Sequence, residues 1–112
     1  MVQQRTAPLD AAFGALSDGT RRALLERLRE GEASVGALAR PFRMSLRGLL
    51  KHVRVLERAS LVATRKQGRT RLVRLGPDAL AQATAFLDAY RELGERFDAR
   101  APYIDLSDMD VA

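Results

Sequence analysis

Residues 45–75 read SLRGLLKHVRVLERASLVATRKQGRTRLVRL, and the change of period inside this stretch decides the fold. Up to Ala59 the apolar residues Leu46, Leu49, Val53 and Leu56 return at helical spacing and fall on one stripe. Ser45 stands ahead of them, a residue whose hydroxyl accepts the free N–H groups of a first helical turn. From residue 61 the pattern becomes short apolar and β-branched runs, LVAT at 61–64 and LVRL at 72–75. These predict strands over 61–66 and 70–75, joined across Gly68 as a hairpin.

The polar residues of the same stretch are one-sided. At about 100° per residue, Arg47, Leu50, Lys51, Arg54 and Arg58 share a sector roughly 100–200° from the leucine stripe. Four of those five are cations and none is an acid. A helix selected for solubility alone would interleave acids for i,i+4 pairing. Here the nearest acid, Glu57, lies off the sector. The hairpin tip RKQGRTR adds Arg65, Lys66, Arg69 and Arg71, either a solvated basic loop or a grip for phosphate. Residues 40–74 hold eleven Lys/Arg against one acid, a net of +10, while the rest of the chain holds eight against thirteen, a net of −5. Such concentration of charge is the footprint of a nucleic-acid binder.

Working outward, Leu9, Ala12, Phe13 and Leu16 predict a short helix over 9–16. In SDGT (17–20), Ser17 or Asp18 caps a helix over 19–30 that packs through Ala23, Leu24 and Leu28 and stops at Gly31. Ser34 caps a shorter helix in VGALARPF, which Pro41 ends. The segment RPFRMS then leads into the cationic helix, with the proportions of a helix-turn-helix whose second member enters the major groove. The hairpin behind it is a wing. Downstream, Pro77 suits the first position of a long helix to about residue 100. One apolar edge of that helix is Leu80, Ala83 and Leu87; the other is Ala79, Phe86, Tyr90, Leu93 and Phe97. So wide a face either packs on its own core or meets the same helix of a twin subunit. Leu9, Phe13, Phe86, Leu87, Tyr90, Leu93 and Phe97 are the candidate dimerisation residues. The expected organisation is a tail over 1–8, one domain over 9–100 and an acidic tail over 101–112. The fold class is mainly α with a small β-hairpin, in the order α-α-α-α-β-β-α.

Other classes fit poorly. The chain has 112 residues, 46% apolar and 29% charged, an ordinary globular balance for one domain. No apolar run approaches the roughly 18 residues of a membrane span. The opening MVQQRTAPLD has no apolar signal core, which points to the cytoplasm. There is no cysteine, hence no disulfide, thiolate metal site or thiol nucleophile. No Ser-His-Asp set, phosphate-binding glycine loop or carboxylate pair points to catalysis, and no cofactor motif is present. Phe and Tyr are absent from 43–75, so bases of single-stranded RNA have no stacking platform among the cations.

Three segments resemble the ArsR family of bacterial winged-helix repressors over about residues 9–100. ALSDGTRRALLERL is similar to the family's opening, with Gly19 where proline is usual. MSLRGLLKHVRVLERASLV resembles its recognition helix, including the Lys51-His52 pair, and RKQGRTRLVRL resembles its wing. The resemblance implies a homodimer joined through its first and last helices, bound to an inverted-repeat operator in double-stranded DNA and repressing transcription. It assigns Ser45, Arg47, Leu50, Lys51, Arg54 and Arg58 to the recognition helix, and Arg65, Lys66, Arg69 and Arg71 to the wing. Leu50 replaces a small polar residue and either meets a thymine methyl or packs. His52 has either a structural role under the wing or a phosphate hydrogen bond. The family's metal sites use cysteines, or histidines with carboxylates. Without cysteine and with one histidine this chain cannot assemble them. The signal then falls to a small molecule, a partner protein or expression level. Asp105, Asp108 and Asp110 of the tail are the remaining carboxylates for a hard cation. The rival reading is a winged-helix adaptor that recruits another protein.

Overall fold

The computed structural model describes residues 2–76, 78 and 80–96, and side chains from Pro8 to Glu95 within that set. Pro77, Ala79, Phe97 and the 101–112 tail lie outside the described residues. The order is α1 (Val2–Leu16), α2 (Gly19–Leu28), β1 (Ala33–Ser34), α3 (Val35–Ala39), one 3-10 turn (Arg40–Phe42), α4 (Leu46–Arg58), β2 (Val62–Gln67), β3 (Thr70–Leu75) and α5 (Ala81–Arg96). The predicted order is present, with an added strand, and α5 begins at Ala81 rather than at the predicted Pro77, with Leu80 at φ 69° ahead of it. β1 pairs antiparallel with β3, Ala33 opposite Val73 and Ser34 opposite Leu72, giving the order β1-β3-β2. A two-residue strand has no period to read. Helix α1 begins at Val2 rather than near Leu9, because apolar periodicity marks only the part of a helix that packs.

Hydroxyl and carboxylate caps start α2, α3 and α4. The Asp18 side chain accepts from the N–H of Arg21, which settles the choice at 17–18; the Ser17 hydroxyl instead donates back to the Gly14 carbonyl at 2.6 Å. Ser34 accepts from Ala37 N–H and Ser45 from Gly48 N–H, as expected of N-caps. The hydrogen bond from Arg21 N–H holds the Asp18 carboxyl below its ordinary range.

The core sits where α2, α3 and α4 meet the sheet. Leu24, Leu38, Leu49, Leu56, Leu61 and Val73 are fully buried, each stabilising by about 2 kcal/mol. Two sequence expectations fail at its rim. Ala23 is exposed, and Leu25 packs in its place. Leu46 is 55% exposed although it lies on the leucine stripe, because it is the first residue of the helix. The wing is tied to α4 by a close approach. Gly76 N–H donates to the Leu61 carbonyl at 3.0 Å, and a Cβ at Gly76 would fall 2.6 Å from the Ser60 oxygen. Only glycine fits there.

Candidate nucleic-acid interface

Helix α4 presents two chemistries. Leu49, Val53 and Leu56 are buried, while Arg47, Lys51, Arg54 and Arg58 are exposed. Ser45 is exposed at its N-cap, with its hydroxyl engaged to Gly48 N–H at 3.0 Å. Leu50 is half-buried and packs against the core, leaving its remaining surface at the edge of the cationic sector. Arg58 stands at the far end of the helix, about 16 Å along the axis from Arg47. There it lines a groove with Pro8, Ala11, Ser60 and Asp78. Glu57, the one acid of the block, accepts from the Thr64 hydroxyl at 2.7 Å and so faces the wing base rather than the cations.

The wing turns over two residues, Gly68 and Arg69, with Gly68 at φ 64°. Lys66 stands directly opposite Arg71. Like charges in that register repel, an expense that an anion lying across the hairpin would reverse. Lys66, Arg69 and Arg71 are exposed; Arg71 also donates to the Thr64 hydroxyl at 3.3 Å. Arg65 differs. Its guanidinium forks onto Glu32, Nε to Oε2 at 3.0 Å and Nη2 to Oε1 at 2.8 Å. That pair holds the Glu32 carboxyl below its ordinary range and raises Arg65. Sequence reasoning passed over Glu32, which precedes β1 and is 33 residues away. It also gave no role to Arg40, Arg43 and Arg74, exposed cations of the same basic block.

His52 is half-buried and lies against α2, its Nδ1 3.3 Å from Arg21 Nη1. Among the described residues no group of three or more His, Cys, Asp or Glu is gathered to hold a metal ion, and no helix is long and apolar enough to cross a membrane. Asp105, Asp108 and Asp110 fall outside that set.

The candidate dimer residues divide. Leu9 and Phe13 of α1 are half-buried, and Phe13 meets Phe86 edge-on at 5.8 Å. Among the described residues of α5 only Ala83 is buried, while Phe86, Leu87, Tyr90 and Leu93 are 42%, 54%, 59% and 42% exposed. Phe97 lies outside the described residues.

A short helix, a turn, a helix with one cationic face and a basic hairpin define a winged helix-turn-helix DNA-binding protein. Comparison with known proteins agrees. Residues 16–65 match the family model described as a helix-turn-helix domain. The HTH-type transcriptional regulator Rv2034 of Mycobacterium tuberculosis is 43% identical over 81 residues, 72% of this chain and 76% of that protein. The crystal structure of the ArsR family transcriptional regulator RHA00566 superposes with a TM-score of 0.75 at 39% identity, covering 82% of this chain and 95% of that one. The homodimeric winged helix-turn-helix DNA-binding domain Mb0332 of Mycobacterium bovis shares the fold, with a TM-score of 0.65 at 21% identity over 88% of this chain and 92% of its own. The chain belongs to the ArsR family of transcriptional regulators, a family of DNA-binding proteins and not of enzymes.

Proposed function

We propose that this chain is a homodimeric cytoplasmic repressor whose two α4 helices enter successive major grooves of an inverted-repeat operator. The observation that carries the reading is the row Arg47, Lys51, Arg54 and Arg58, exposed on one helix without an interleaved acid. Such a row is repulsive until phosphates or base edges neutralise it. The N-terminal half of α4, with Ser45, Arg47, Leu50 and Lys51, reads base edges, and Lys66, Arg69 and Arg71 of the wing hold the backbone. The uncovered apolar face of α5 supplies the dimer contact, and the homodimeric state of Mb0332 supports that choice. Half-sites then lie about 34 Å apart, one DNA turn. Repression follows from occupancy, since a dimer spanning both half-sites shuts other proteins out of that DNA.

The test is footprinting of fragmented genomic DNA with the purified chain alone. Protection of sites with dyad symmetry is expected. Protection that appears only after adding a second protein would favour the adaptor reading instead, and none under either condition would sink both.

A further inference from the structure

Arg21 joins three elements. Its Nε donates to the Ala15 carbonyl at 2.8 Å and its Nη2 to the Gly14 carbonyl at 3.2 Å, both in the last turn of α1. Its backbone N–H is capped by Asp18 at the start of α2, and its Nη1 meets His52 Nδ1 on α4 at 3.3 Å. The last carbonyls of a helix have no partner within it, and a cation is well suited to them. Arg22 serves the next one, donating to the Leu16 carbonyl at 2.7 Å. Arg22 stops there. Arg21 goes on to the recognition helix.

A guanidinium has donors only. For the contact to be a hydrogen bond, Nδ1 of His52 has to accept, which requires the ring proton on Nε2. We propose that Arg21 is a positioning residue for DNA reading: it locks α4 to the end of α1 through one tautomer of His52. The inference rests on the proposed function, because it assumes that α4 reads the operator and that α1 borders the dimer face. The rationale is mechanical. Base-edge contacts from Arg47 and Lys51 need the helix held to a fraction of an ångström. α1 carries Phe13 against Phe86 of α5, so an angle set at the proposed dimer face is transmitted to α4 through Arg21. Phosphate contacts from the flexible wing tolerate looseness that base contacts do not.

Two measurements decide it. In the free wild-type chain, imidazole nitrogen NMR should report His52 as the Nε2–H tautomer, and Arg21→Met should convert it to a mixture. Competition binding should show Arg21→Met and His52→Phe each lowering the ratio of operator to random-DNA affinity about tenfold, with the double variant no worse than either. His52→Asn, whose side-chain oxygen takes the place of Nδ1, should recover most of the ratio. An Nδ1–H tautomer in the wild type, a multiplicative double variant, or Asn no better than Phe overturns the proposal. A wild-type chain with no preference among DNA fragments would overturn the operator reading itself, and this one with it.

Discussion

Arg65 and Lys66 are adjacent in sequence and differ in what surrounds them. Arg65 already has a bidentate carboxylate partner in Glu32, whereas Lys66 faces Arg71 and gains from any anion between them. Arg69→Ala and Arg71→Ala should weaken operator and random DNA alike, each lowering the salt slope by roughly one unit. Arg65→Ala should change that slope less. Arg47→Ala or Lys51→Ala should instead erode operator preference, by about 1–3 kcal/mol for each bidentate base pair lost. Binding competitions across a salt series check all of these, and loss of preference in the wing variants would reverse the assignment. Glu32 also predicts a pH effect. Its carboxyl is held low by Arg65, so its contribution to stability is complete above the unfolded carboxylate range and disappears as the pH falls through its depressed value. Thermal melts should show a gentler acid limb for Glu32→Gln than for the wild type; identical limbs would mean that the pair is immaterial. Neither this pair nor Arg21–His52 was legible in the sequence. They join residues 33 and 31 apart, and only the packing of α2 beside α4 and the wing brings them together.

At the scale of elements the sequence was most informative where periodicity was strong. The switch from helical to strand pattern near residue 60 located α4 and the hairpin, and three side-chain caps followed from Asp18, Ser34 and Ser45. Periodicity gives direction around a helix but not where along it the packing begins, hence the error at Leu46. The end of α4 was read from the change of period alone, because its stop lacks glycine. Ser60 N–H bonds the Glu57 carbonyl and Leu61 N–H the Leu56 carbonyl, both at 2.9 Å, with Ser60 at φ 61°. That is the Schellman arrangement, with Leu56 and Leu61 both fully buried, and its left-handed position normally holds glycine. Ser60→Gly should therefore stabilise the chain by about 1 kcal/mol, relief of left-handed strain exceeding the added backbone entropy of glycine. Gly76→Ala should do the opposite, by driving a methyl into the Ser60 carbonyl. Chemical denaturation of the two variants checks both signs; a destabilised Ser60→Gly would mean that the serine side chain has a role of its own.

For the whole molecule the deciding question is what covers α5. Four large side chains lie exposed along it, while Ala83 is its one buried residue among those described and the main core cluster gathers no described residue of α5. The sequence showed the width of this face; whether it was surplus depended on how little of it α1 could cover. α1 covers part of it through Phe13. We expect Leu87→Glu with Leu93→Glu to abolish self-association, because a second copy would have to bury two unpaired carboxylates against its aromatic rings. Sedimentation at micromolar concentration should show dimers for the wild type and monomers for the double variant. The DNA consequences separate this from misfolding. A folded monomer retains one α4 and one wing, so its random-DNA binding persists with roughly half the salt slope. Its operator affinity collapses further, because the second half-site no longer binds at the high effective concentration that the dimer provides. A wild-type monomer that still protects a symmetric site would show that DNA, rather than α5, brings the two copies together.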